Sequence, residues 1–169
     1  MKEAISNAFV FNLIIVFVII LIAFFVGSIS YSKASKVKNR IVEVIEKEGE
    51  HSDNPENAYA LGKEEIEEWL SSGNENGTGI GYRQNTNGGL KNNCPNITPV
   101  PEDATVTNVT ETNDYEYCVY RIEYCDKDNS RCNIYYRVIA YMYFDVPIIS
   151  DLVRIPITGE TMTFTKLNS

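Results

Sequence analysis

Four cysteines, one histidine and a few clustered acids carry most of the reactive potential of this 169-residue chain. Cys94, Cys118, Cys125 and Cys132 all lie far from the N-terminus, and none forms a Cys-x-x-Cys pair. An even count without metal-type spacing reads as two disulfides in an oxidising compartment, not as a zinc site. Four cysteines allow three pairings. Cys125 and Cys132 flank the polar run Asp126-Lys127-Asp128-Asn129-Ser130-Arg131, and proximity favours a bridge there, with Cys94 joined to Cys118. His51 is the single histidine and sits in a polar linker, so nucleophile-and-base schemes have one imidazole to draw on. Glu64, Glu65, Glu67 and Glu68 read as a solvated helix face rather than as paired acid catalysts. The inventory argues against an enzyme.

Ligand motifs are equally thin. Gly77-Thr78-Gly79-Ile80-Gly81 has neither the flanking strand and helix nor the lysine that a phosphate cradle needs. Asp126-x-Asp128-x-Ser130 has the opening spacing of a calcium loop but lacks its glycine and distal glutamate. No cofactor or metal is expected. Asn76, Asn96 and Asn108 each begin an Asn-x-Thr triplet, a pattern that recurs by chance in Asn- and Thr-rich loops.

Charge narrows the partners. From Ile41 onward 22 acids face 10 bases, a balance that repels phosphate backbones and excludes nucleic acid as a partner. Lys33, Lys36, Lys38 and Arg40 form a basic collar with no acid among them, placed where lipid headgroups would contact it.

What positions these residues begins with the run Phe9 to Val26, FVFNLIIVFVIILIAFFV, apolar except for Asn12. At helical rise it measures about 27 Å, close to a bilayer's ~30 Å hydrocarbon core. Transfer of its large apolar side chains sums to about −5 kcal/mol or better, which one asparagine does not cancel. Ser28-Ile29-Ser30 offers a cleavage-like site, but the run exceeds a signal peptide's apolar region of about 7–15 residues. The helical pattern also continues past it, so the segment reads as an uncleaved anchor. The expected organisation is a tail over 1–8, a transmembrane helix over 9–27, a stalk helix over 28–49 and a head over 50–169.

In the stalk, Ala34, Val37, Ile41, Val44 and Ile45 recur at steps of three and four, giving one narrow apolar stripe that ends at Gly49, a C-cap residue. Ala4 to Glu48 thus reads as a single helix of about 65 Å, with Gly27-Ser28 as a loose joint. A second helix starts at Asp53-Asn54-Pro55, breaks near Gly62 and resumes over Lys63 to Leu70. Its acids lie near the N-terminal end, where the helix dipole favours them. Residues 71–98 read as loop. Strands are expected at Thr105 to Thr110, Tyr115 to Cys125, Cys132 to Phe144 and Val153 to Phe164, with Val146-Pro147-Ile148-Ile149 as a break. Eight of the eleven tyrosines fall between Tyr115 and Tyr143 and read as half-buried sheet surface with wet hydroxyls. The sum is an α+β chain: a long transmembrane helix, its amphipathic continuation, and a small antiparallel sheet packed on the stripe.

This layout resembles the TadE-like branch of the type IV pilin superfamily, the minor pilins or pseudopilins of tight-adherence pilus systems. Phe9-Val10-Phe11-Asn12-Leu13-Ile14-Ile15-Val16 is similar to the family's opening. Tyr141-Met142-Tyr143-Phe144-Asp145-Val146-Pro147-Ile148-Ile149 and Ile155-Pro156-Ile157-Thr158-Gly159 are similar to its closing strand, proline turn and strand. Together they cover about a quarter of the chain. The resemblance implies a pilin-like fold and a structural role, with partner subunits packed along the N-terminal helix. The family's glutamate in the apolar run, which pairs with a neighbouring subunit's N-terminal amine, is replaced here by Asn12, and no prepilin-peptidase glycine precedes the run. An asparagine hydrogen-bonds within lipid for ~1 kcal/mol but brings no charge.

Topology signals conflict. The collar at Lys33 to Arg40 outweighs Lys2 and by the positive-inside rule places the C-terminal part in the cytoplasm. The cysteines, the acidic loop-rich head and the family resemblance place it outside, and that is the expectation adopted: a single-pass protein of the cell membrane with an extracellular head. The alternative function is a single-pass ectodomain that binds a ligand or partner through its sheet and Gly/Asn loop.

Overall fold

The computed structural model describes residues 2–71, 79–82, 84, 94–110, 114–126, 131–143 and 154–167, with 2–8 and 167 by backbone alone. One helix dominates. α1 runs Lys2–His51 without interruption through Gly27-Ser28, so the joint expected there is plain helix. A 3-10 turn at Pro55–Asn57 leads into α2, Ala58–Leu70. Five strands follow: β1 Thr105–Asn108, β2 Tyr117–Cys125, β3 Arg131–Tyr143, β4 Arg154–Glu160 and β5 Phe164–Leu167. The result is an α+β fold with one long apolar N-terminal helix and a small antiparallel sheet.

The cap expected at Gly49 and the break expected at Gly62 are both close contacts instead. α2 passes unbroken through Gly62, because that position lies against α1: a Cβ there would sit 2.5 Å from Val44 Cγ1. Gly49 does not cap α1, which continues to His51; a Cβ on Gly49 would meet the Phe164 ring at 2.4 Å. Each glycine lets a second element approach where any side chain would clash. The acids of α2 also stand elsewhere than expected. Because α2 starts at Ala58, none of them lies in its first turn. Glu65 instead reaches across to α1, 2.8 Å from Arg40 and 2.9 Å from Lys47.

The sheet is ordered β1-β2-β3-β4, with β5 also on β3. Cross-strand partners share a face, so the register assigns each side chain. Ile134, Tyr136, Val138, Ala140 and Met142 of β3 point to one face, and the Tyr136 hydroxyl donates to the Pro55 carbonyl at 2.7 Å, fixing that face towards the helices. It buries the whole stripe of Ala34, Val37, Ile41, Val44 and Ile45. The stripe is therefore the axis of the core. The opposite face is covered as well. Tyr120 donates to the Pro95 carbonyl, and Ile97, Val100 and Ala104 pack against the core from the segment over 94–104.

The closing strand expected as one piece is two. Paired residues on β3 and β4 sum to one register through Arg137↔Glu160, whereas β5 resumes at Ile134↔Phe164, shifted by one residue. Met162 and Thr163 together oppose Tyr135, which is a β-bulge. Thr161 holds it: its Oγ1 accepts the Tyr136 N–H at 2.9 Å, and its own N–H donates to the Tyr136 carbonyl at 2.9 Å. The Met162 N–H then donates to Glu46 Oε1 at 2.7 Å, tying the bulge to α1.

Candidate functional site

The surface most in need of explanation is the first half of α1. Every residue from Phe9 to Phe25 is exposed, with Phe9 at 68% and Ile19 at 59%. Burial begins in earnest at Ala34, and Ile41 is 0% exposed. One continuous helix is thus bare along one half and core along the other. Nearly all of the bare half is apolar, and it is long enough to cross a bilayer. Left in water, a surface of that size is untenable; placed in lipid, it needs no further cover. The chain is a membrane-associated α+β protein.

Asn12 is exposed on this bare half, so its amide faces lipid or another chain rather than the protein's own core. The collar residues diverge. Arg40 is bound by Glu43 at 3.1 Å and Glu65 at 2.8 Å. Lys33 donates to the Gly81 carbonyl at 2.6 Å, and the Lys38 stem lies over Gly159. Lys36 alone of the four is exposed; the other three are half-buried. The head therefore draws three of these side chains to itself, leaving Lys36 pointing outward.

Both disulfides form, Cys94–Cys118 and Cys125–Cys132. The first staples the covering segment to β2; the second joins directly opposed residues at the end of the β2–β3 ladder. Glu123 lies near the second bridge, but sulfurs already bonded to each other offer no thiolate for a metal. His51 donates from Nδ1 to the Lys47 carbonyl, 2.8 Å away, on the last turn of α1. In the glycine stretch, Ile80 and Tyr82 donate to the Trp69 and Leu70 carbonyls, so its described part pairs with the end of α2. Residues 77–78 and 127–130, and with them most of the calcium-like spacing, lie outside the described residues, as do Asn76 and the Val146-Pro147-Ile148-Ile149 break. Asn108 is engaged, its Oδ1 accepting from both the N–H (3.0 Å) and the hydroxyl (2.7 Å) of Thr110.

Comparison with known proteins returns no match, whether to a family model, a curated sequence or a solved structure.

The tyrosines depart furthest from their sequence reading. Several of their hydroxyls are buried and hydrogen-bonded within the protein, not wet. Tyr59 and Tyr117 share a hydrogen bond at 3.1 Å, Tyr136 reaches Pro55, and Tyr143 donates to Glu116. Burial pushes Tyr59 and Tyr136 up to about 12, so both remain protonated across the physiological range. Tyr82 does something more specific. Where β2 has ended, its hydroxyl accepts the Tyr141 N–H at 2.9 Å, and its one proton reaches the carbonyls of Tyr141 (2.9 Å) and Glu116 (3.2 Å). One phenol thereby closes the open end of a strand ladder. Beside it Glu116, 3% exposed, lies 3.8 Å from the Arg154 guanidinium. Sequence reasoning missed Glu116 and Tyr82 because a carboxylate between two tyrosines and a tyrosine in a glycine-rich loop both look like solvated surface.

Proposed function

We propose that this chain is a membrane-anchored, pilin-like structural subunit of a cell-envelope pilus or secretion assembly, of the TadE-like minor pilin or pseudopilin kind, with its head outside the cell. The observation that carries the reading is the division of one uninterrupted helix: a bare apolar half, Phe9 to Phe25, and a half that forms the core of an antiparallel sheet domain. Such a helix has a surface free for other helices in the membrane while its head stays folded. Small, disulfide-bonded and acidic, the head suits an oxidising exterior. Pairing of Arg40 with Glu43 and Glu65 lessens the collar's charge in the folded chain. The mechanism is mechanical. Helices pack side by side through the apolar half, with Asn12 hydrogen-bonding across the contact, and the heads are carried on the outer surface.

Single cysteines placed in turn from Phe9 to Ile22, oxidised in the native membrane, test this. Cross-linked adducts should recur every three to four positions, marking one helix face. Asn12→Leu should reduce the adducts about fivefold, the ~1 kcal/mol that an interhelical amide contributes in lipid. Uniform cross-linking along the helix, or none at any position, would contradict assembly through this segment.

A further inference from the structure

The head does not stand clear of the anchor on a stalk. It reaches back down α1. Met142, near the end of β3, lies across a groove from Ala23, Phe24, Gly27, Ser28 and Tyr31. Ala23 and Phe24 belong to the apolar run, so with that run in a bilayer this end of the sheet stands level with its last turn. Ile155, paired with Met142 and on the same face, is 40% exposed, and Tyr31 is 57% exposed.

We propose that this notch, walled by Phe24 and Tyr31 on α1 and by Met142 on the sheet, with Ile155 paired beside Met142, is a lipid-contact site that seats the head on the membrane surface. Its occupant is the glycerol and upper acyl region of a phospholipid. The notch is continuous with the bare apolar helix, so lipid that surrounds Phe24 meets Met142 without crossing any polar barrier among the described residues. Tyr31 stands where an amphipathic ring partitions to the interface. Lys36 is exposed on the next turns of α1 beside Ser32 and Lys33, at the height of a phosphate. Apolar groups thus face the acyl level and an exposed ammonium faces the headgroup level. The proposal rests on the anchoring half of the function proposed above, and assembly into oligomers is not required for it.

The chain's single tryptophan, Trp69, makes a direct test available once Trp69→Phe removes it. In that background Ile155→Trp, Phe17→Trp and Thr105→Trp are each placed in phosphatidylcholine vesicles whose acyl chains are brominated near the glycerol end or near mid-chain. Thr105 stands at the opposite end of the sheet, in line with Glu123 and Ile134. Ile155→Trp should be quenched at least about twofold by the shallow bromines, Phe17→Trp chiefly by the deep ones, and Thr105→Trp by neither. Tyr31→Trp reads the same notch from its helical wall and should match Ile155→Trp, which guards against a local misfold at β4. An unquenched Ile155→Trp and Tyr31→Trp beside a quenched Phe17→Trp would overturn the seated head and leave the anchor intact. Loss of quenching at all three would overturn the anchor itself. Shallow quenching that disappears as protein is crowded in the vesicle, with Phe17→Trp unchanged, would give the notch to a second copy of the chain and overturn the lipid assignment.

Discussion

Ile41→Ala should cost the head about 3 kcal/mol, whereas Ile19→Ala on the same helix should leave its unfolding within about 0.5 kcal/mol of the parent. Both substitutions delete the same atoms from the same kind of residue in the same α-helix. Only the surroundings differ: Ile41 is wholly enclosed by the helix–sheet core, and Ile19 is 59% exposed. Truncating Ile41 leaves a cavity that the surrounding core, ordered and close-packed, cannot fully collapse into. At Ile19 detergent or lipid refills the space at little cost. Urea unfolding of the micelle-bound chain, followed through tyrosine near-ultraviolet dichroism, reports the difference. Equal losses at the two sites would mean that the apolar half is packed within the head, and the division of α1 would be wrong.

The Cys94–Cys118 bridge carries the second large effect. Cys94→Ala combined with Cys118→Ala should destabilise the head by about 3 kcal/mol, from the entropy returned to the unfolded loop. The two cysteines are 24 residues apart, against 7 for Cys125 and Cys132. The chain-entropy relation makes the longer loop worth about 1 kcal/mol more. Structure adds to the difference. Cys125 and Cys132 are already held by the ladder of nine paired residues between β2 and β3, while the segment beyond Cys94 is not part of any strand until β1. Freeing it would loosen Ile97 and Val100 from the far face of the sheet and take the Pro95 carbonyl from Tyr120. Thermal melting of the two double variants should therefore rank Cys94/Cys118 as the more damaging pair. A chain lacking that bridge yet melting with the parent would show that the covering segment holds itself in place.

How much of this was legible beforehand follows from the range of each interaction. The long apolar N-terminal helix, the Ala34 to Ile45 stripe, the pairing of β2 with β3 and the two disulfides each rest on local period or proximity, and all stand in the fold. Gly49 and Gly62 misled because a glycine wanted for close packing has the same letter as one wanted for a cap. The bulge at Met162 was invisible because register is set by the partner strand, not by the strand that bulges. Burial of the tyrosines required knowing that both faces of the sheet are covered, Tyr117 and Tyr136 by the helices and Tyr120 by the segment over 94–104, contacts between residues distant in sequence. The partial engagement of the basic collar has the same origin. Lys33, Lys38 and Arg40 meet groups contributed by Gly81, Gly159 and Glu65, none of them adjacent in the chain.

The proposed function requires an anchored, outward-facing, disulfide-closed head. Labelling intact cells with a membrane-impermeant thiol reagent, before and after reduction, tests that most directly. The prediction is no labelling without reductant and labelling after it, first at Cys125, which is exposed, while Cys118 and Cys132 are buried. Cells that stay unlabelled under both conditions, but whose lysate labels without any reductant, would place a reduced head in the cytoplasm and contradict the proposed function.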